Sequence, residues 1–457
     1  TRCLSDWSSD VCSSDLIVPT AVGRCVMTDE TDGVAGIRQV FDAGKIVSGW
    51  PLIRLNGKAG ITVRMRYSED LDEHGYVKHN VCNERSEHYY DQYTMRGDDL
   101  ETWQPDLSYK AFRYVEITGY PEPLIPGEHL WIVSAHTNLV PTGHFACSDP
   151  LLNDLYAACI QTQKNNTLGQ TVDCPHREQA QYLADTDLQA ETLLYNFDPV
   201  NILEKTLNDF ADGQLADGTF PFVYPSNYEH PDFSLQIPEW DLHYNTLMWK
   251  LYSFTGDRRI LERNYDAAKR MVDYYAGTMD AQLGLVPTGK GWHISDWPYP
   301  SVDHSSEYLT VQNIKFYAAV RILTEAGERI GRAAEGRRYA NLAEQLADSI
   351  RRHLYDSELR RYRDCLGSDK HHQGVNALAL FYGLVPESDR SETLRYIAEK
   401  EWESKTVLSL PLLRVLFENG YEEAAYRLMN RGEYPGWGYM IRQGSRTMWE
   451  GWEDIES

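Results

Sequence analysis

Three carboxylates, an arginine and a tyrosine fall within one short stretch, Asp173-Cys-Pro-His-Arg-Glu-Gln-Ala-Gln-Tyr-Leu-Ala-Asp185. Asp173 can cap a helical turn, and Pro175 suits its first position, where a missing N–H is no loss. On a helix continuing from there, Glu178 and Asp185 are seven residues apart and share a face. Two acids on one face repel, so a purely structural helix gains nothing from them. A site that must donate a proton beside a cationic transition state does. The plain alternative is a capped, solvated acidic helix, and the stretch alone leaves both readings open.

The elements that must position these residues change character along the chain. From about 20 to 145 the hydrophobic period is two. Ile61-Thr-Val-Arg-Met-Arg-Tyr67 and Phe112-Arg-Tyr-Val-Glu-Ile-Thr118 alternate, and glycines such as Gly44, Gly57, Gly75 and Gly97 mark turns. This predicts an antiparallel β-sandwich, with Tyr89, Tyr90, Tyr93 and Trp103 in its core and rim. At Ser148-Asp149 the period switches to that of helices, with either residue a candidate cap. Roughly eleven helical segments follow: 149–168, 178–196, 199–212, 238–255, 257–278, 304–330, 334–355, 373–383, 388–402, 406–418 and 420–430. Paired helices without a fixed repeat predict an (α/α)6 toroid. The loops 213–237, 281–303 and 431–447 carry Phe220, Phe222, Tyr224, Tyr228, Trp292, Trp297, Tyr299, Trp437 and Tyr439. Grouped on one rim, these would wall a pocket.

The composition narrows the partners. The chain has 457 residues, 42% hydrophobic and 25% charged, with a net charge of −24 from 44 basic and 68 acidic residues. That is a globular composition with ample core. The acidic balance argues against nucleic acid or an anionic membrane as a partner, and no apolar run is long enough to span a bilayer. Thirty Tyr and twelve Trp are many; most are read as core, and the rest would fit sugar recognition, where flat rings stack on pyranose faces. Eight scattered Cys indicate neither a zinc site nor a disulfide framework. Residues 1–16 repeat Ser-Ser-Asp and lack the pattern of a signal peptide, so they are read as a non-native leader outside the fold. Cys3 and Cys12 then leave the count. The expected organisation is 1–16 leader, 17–145 β-sandwich and 146–457 helical catalytic domain. That domain is expected to be incomplete, because the chain stops within what reads as the start of a closing helix. With the true N-terminus read as missing, no compartment is assigned.

Asp-Cys-Pro-x-Arg-Glu, followed by an aromatic residue and Asp, resembles the signature of glycoside hydrolase family 78, the α-L-rhamnosidases. So do Gly438-Tyr-Met-Ile and Thr447-Met-Trp-Glu-Gly-Trp452, about 270 positions after the first motif. Phe41-Asp-Ala-Gly-Lys-Ile-Val-Ser-Gly-Trp50 and Tyr109-Lys-Ala-Phe-Arg-Tyr-Val-Glu-Ile-Thr-Gly119 are similar to the β-domain that precedes the family's barrel. The resemblance covers about residue 20 to the end. It implies an inverting exo-glycosidase without a cofactor or metal, acting on rhamnose-containing oligosaccharides, polysaccharides or glycosides. Glu178 would be the general acid and Glu450 the general base. Asp173 and Asp185 would hold sugar hydroxyls or tune the acid, with Arg177 turned outward or paired with Asp173. Inversion needs the two glutamates about 6.5–9.5 Å apart to house a water, and neighbouring acids would keep Glu178 protonated. The family usually has Trp where Tyr182 stands, which puts the exact sugar in question. Trp240-Asp241 and Asp296-Trp297 resemble subsite positions, with a structural role an equal alternative. Trp437 and Trp449 complete the expected sugar-binding set.

Weaker constellations are read as structural. Adjacent His371 and His372 near Asp369 do not converge on one metal. His243 is as readily a satisfied core histidine as a sugar ligand. Asp212-Gly-Gln-Leu-Ala-Asp-Gly218 lacks the closing Glu of a calcium loop. Two other functions compete with hydrolysis. One is a non-catalytic carbohydrate-binding protein or inactive fragment. The other is a polysaccharide lyase, for which the −24 charge and scarce basic clusters are unfavourable.

Overall fold

A computed structural model describes residues 12–31, 34–78, 89–225, 236–289, 291–298 and 302–452. These form two compact units. One runs to Gln179 and includes Gly444–Met448; the other comprises Ala180–Gln443 and Trp449–Trp452.

The first unit is a curled antiparallel sheet with one helix. Its strands are β1 (Cys12–Ile17), β2 (Thr20–Thr31), β3 (Val34–Leu55), β4 (Thr62–Ser68), β5 (Tyr90–Thr94), β6 (Glu101–Trp103), β7 (Lys110–Thr118) and β8 (Leu130–Thr137). They lie in the order β1-β8-β3-β7-β4-β5, with β2 and β6 also on β3. The long β3 changes neighbours along its length. Its first half pairs with β2, its middle with β7, and Gly49–Ile53 with β8. A register shift between Asp42 and Val47 marks the change, and Gly44 there has φ +83°. Gly49 lies so close to β8 that a Cβ would sit 1.8 Å from the Val133 carbonyl oxygen. Inward residues alternate as the period-two pattern predicts. Phe41, Val47, Val63, Met65, Phe112, Val115, Ile117 and Ile132 share one core, and Tyr89, Tyr93 and Trp103 pack at its edge. The segment read as lying outside the fold supplies β1 from Cys12 onward, in register with β8; residues 1–11 fall outside those described. Helix α1 (Pro150–Asn165) begins as expected, with Asp149 Oδ1 accepting the Leu151 N–H at 2.9 Å.

The second unit is helical. It contains α2 (Leu183–Asn196), α3 (Val200–Asp212), α4 (Pro238–Asp241), α5 (His243–Thr255), α6 (Arg258–Thr278), α7 (Thr310–Arg329), α8 (Ala333–Leu354), α9 (Gln373–Phe381), α10 (Arg390–Glu399), α11 (Ser409–Glu418), α12 (Glu422–Met429) and α13 (Trp437–Arg442). Helices α2, α5, α7, α9 and α11 pack on one another in succession, and each has its own outer partner: α3, α6, α8, α10 and α12. The sequence distinguishes the layers. In α6, buried residues recur at helical spacing from Ile260 to Tyr275, leaving an exposed polar face; in α7, every residue from Thr310 to Phe316 is buried. Among the described residues no helix is long and apolar enough to cross a membrane.

Two expected helices begin five or six residues later than predicted. The helix placed at 178–196 starts at Leu183, and that placed at 304–330 starts at Thr310. The expected 238–255 helix is divided at Leu242 into α4 and α5.

Candidate active site

Residues 173–182 do not form the predicted helix. Asp173 and Pro175 open a turn, and Gln179 adopts φ +52°, a left-handed conformation that interrupts any helix. Side-chain bonds stabilise this path: Gln179 Nε2 donates to the carbonyls of Pro175 (2.9 Å) and Tyr109 (3.2 Å), and Asn166 Nδ2 donates to that of Asp173 (2.9 Å). Glu178 and Asp185 therefore share no helical face. The expectation that they crowd one another on such a face is corrected. Arg177 Nε donates to Glu178 Oε1 at 3.2 Å. Burial and the Asp173 carboxylate together hold the Cys174 thiol far above its ordinary pKa.

In the helical unit, the expected residues divide between an apolar aromatic cluster and buried acids bonded within the unit. Tyr182 stands at the N-terminal boundary of α2, with its ring 5.7 Å from Phe222. Asp185 lies in the first turn of α2, and Trp240 Nε1 donates to its Oδ2 at 3.2 Å. Tyr182, Phe222, Trp240, Ile294 and Trp297 belong to one apolar cluster. Trp297 Nε1 donates to Glu450 Oε1 at 2.9 Å, and the exposed Trp292 meets the Trp297 ring edge-on at 6.0 Å. Asp185, Trp240, Trp297 and Glu450 are thus connected by aromatic rings that also donate hydrogen bonds.

Asp241 and Asp296 are buried and bonded within the protein. Asp241 is 1% exposed, and its Oδ2 accepts the Tyr275 hydroxyl at 2.8 Å; burial raises its pKa well above the carboxylate range. Asp296 is 3% exposed and accepts four backbone N–H groups: Trp297 (3.0 Å), Lys405 (2.6 Å), Val407 (3.0 Å) and Leu408 (3.1 Å). It ties the Trp297 loop to the segment entering α11. Trp437 packs against Trp402 (5.1 Å) and Trp452 (5.5 Å), and Trp449 against Tyr439 (6.1 Å). One aromatic expected on a rim is core instead: Phe220 is fully buried and stacks on Tyr244 at 4.5 Å. Tyr228 and Tyr299 lie outside the described residues.

The histidines resolve as structural. His372 caps α9, its Nδ1 accepting the Gly374 N–H at 3.1 Å. His371 Nε2 lies 3.4 Å from Asp356. Asp217 Oδ1 closes a turn through the Thr219 N–H and hydroxyl. Among the described residues no group of His, Cys, Asp and Glu could hold a metal ion. His243 is a buried histidine, its Nδ1–H donating to Asp187 Oδ2 at 2.6 Å and its Nε2 accepting from Lys315 Nζ at 3.0 Å.

The family model for the bacterial alpha-L-rhamnosidase six-hairpin glycosidase domain matches residues 141–457, and that for the bacterial alpha-L-rhamnosidase concanavalin-like domain matches residues 34–136. The chain belongs to the bacterial α-L-rhamnosidase family. An α-L-rhamnosidase of Streptomyces avermitilis is 30% identical over 427 residues, covering 91% of this chain and 39% of that relative. The solved α-L-rhamnosidase of Dictyoglumus thermophilum superposes with a TM-score of 0.85 at 28% identity, over 97% of this chain and 49% of its own. That of S. avermitilis, solved with L-rhamnose, gives 0.83 at 26% identity, over 98% and 41%. The fold is accordingly that of these rhamnosidases, an antiparallel β-sandwich followed by an (α/α)6 toroid. The chain spans less than half the length of the curated rhamnosidases it matches.

Sequence reasoning passed over Asp187, Glu239 and Lys315. Each is a buried residue of a charged type, and two lie next to recognised positions: Asp187 two residues after Asp185, and Glu239 immediately before Trp240. Glu239 is fully buried, with its Oε2 3.2 Å from His293 Nδ1.

Proposed function

We propose that this protein hydrolyses terminal α-L-rhamnosyl linkages, or those of a closely related deoxysugar, in plant glycosides or polysaccharides, with inversion at the anomeric carbon. Family membership over residues 141–457 carries the reading. The S. avermitilis relative solved with L-rhamnose supports the choice of sugar.

Glu178 protonates the glycosidic oxygen as the C–O bond breaks. Glu450 removes a proton from the water that attacks the opposite face, so the product leaves with inverted configuration and the two carboxyls exchange roles as proton holders. Asp173, Arg177, Tyr182 and Asp185 bind the sugar, with Trp240 and Trp297 as apolar shelves and Trp449 at the edge. The Trp297–Glu450 hydrogen bond supports Glu450 as the base, because it orients the carboxylate.

The test is release of rhamnose from an aryl α-L-rhamnoside, with the anomer followed by proton NMR during the first turnovers. Initial appearance of β-L-rhamnose is expected. Initial α-L-rhamnose overturns inversion, and no release from any aryl glycoside overturns the reading as a whole.

A further inference from the structure

Lys315 lies on the all-buried face of α7, 8% exposed, where an unpaired ammonium would be costly. Asp187 does not require it. Lys250 Nζ already meets Asp187 Oδ1 at 2.9 Å, and Thr246 and His243 occupy Oδ2. Because His243 Nδ1–H donates to that carboxylate, its Nε2 offers a lone pair, and the Lys315 ammonium donates to it at 3.0 Å. The same ammonium lies 5.5 Å from the centre of the Trp240 ring, within cation–π range. Trp240 in turn donates its indole N–H to Asp185. A continuous series therefore runs Asp187–His243–Lys315–Trp240–Asp185, beside a cavity of about 70 Å³ bordered by Asp187, His243, Lys250 and Lys315.

We propose that Lys315 is a positioning residue for sugar binding: its charge, aimed by His243, pins the Trp240 ring so that the indole N–H stays on Asp185. This rests on the reading of Asp185 and Trp240 as sugar-binding residues. Leu or Met would fill the same space, but neither would fix the tilt of the ring. Burial brings the Lys315 pKa down to about 8, so its charge can be removed under mild conditions. The charged and titratable groups acting on it are Asp187 from α2, Glu239 from α4, His243 and Lys250 from α5, and Asp296 from the loop before α7.

L-Rhamnose binding is measured by calorimetry for the native chain, K315M, W240F and the double variant. K315M is expected to weaken binding about tenfold. In the W240F background the same change should cost less than about twofold, since the ring it acts through is gone. K315R, which keeps the cation, should recover most of the affinity. Equal losses from K315M in both backgrounds overturn the proposal. If K315M does not fold, the native protein decides: the emission difference between native and W240F should titrate with a midpoint near pH 8, and a flat difference overturns the contact. If the native chain binds no rhamnose, the functional reading fails, and the emission titration still decides whether Lys315 acts on Trp240.

Discussion

The indole N–H of Trp297 donates to Glu450 Oε1 over 2.9 Å, and the backbone N–H of the same residue is held by Asp296 at 3.0 Å. The oxygen of the proposed base is therefore aimed by a ring whose own backbone is fixed by a buried carboxylate. Replacing Trp297 by Phe keeps the ring and removes the donor. A hydrogen bond to a charged group contributes about 1.5–3 kcal/mol, so kcat/KM on an aryl rhamnoside should fall about 10- to 100-fold. W292F, which alters only the exposed neighbour, should change it less than about threefold. Steady-state kinetics of the two variants check this; W297F within twofold of native would contradict it.

Asp296→Ala strips four backbone N–H groups of their acceptor inside the protein. The expected loss of stability is on the order of 3–5 kcal/mol, read as a lowered urea midpoint with an unchanged slope. Asp241→Asn, which keeps an acceptor for Tyr275, should cost much less. Similar losses in both variants would mean that the four-fold capping is not what makes Asp296 matter.

The two glutamates should separate by leaving group. An acidic phenol leaves without help, so E178Q should retain far more activity on a nitrophenyl rhamnoside than on an alkyl rhamnoside. E450Q removes the base for water and should lose about 10³-fold or more on both. The ratio of kcat/KM between the two substrates, measured for each variant, is the readout. An unchanged ratio in E178Q would remove it as the proton donor.

Acid should weaken the helical unit through His243. Burial first, and then the nearby Lys315, hold its pKa down to about 4, against an ordinary 6.5. Between those values the unfolded chain binds the proton and the folded chain does not, so stability falls as pH drops from 6.5 to 4. The contribution is on the order of 3 kcal/mol from a shift of this size. Asp187, whose pKa is depressed, acts in the lower range: its contribution is present above 3.8 and is lost as pH falls further. Urea midpoints from pH 7 to 4 should decline in native protein and decline less in H243Q; parallel curves would assign the acid sensitivity elsewhere.

Elements built from near neighbours were legible in the sequence. The alternation of Ile61–Tyr67 and Phe112–Thr118 yields β4 and β7, and Asp149 caps α1 as its local pattern predicts. The stretch from Asp173 was misread for the complementary reason. Its cap-like Asp and Pro are genuine local signals, but the path is set by Gln179 reaching Tyr109, seventy residues away in sequence. Nothing within the stretch reveals that bond. Asp241 and Asp296 were open to either role for the same reason: an acid beside a Trp reads alike whether it faces sugar or backbone N–H groups. Tyr182 was visible as a departure, and its contact with Phe222 shows what supports the smaller ring.

Strand β3 also dictates where this chain tolerates being cut. Its ends hold different neighbours, with β2 on its first half and β8 and β6 toward its last residues. A circular permutation that opened the chain between Asp42 and Val47 would leave each fragment of the strand with only part of the sheet to template. A break at the turn bearing Gly75, between β4 and β5, would leave every partnership of β3 intact.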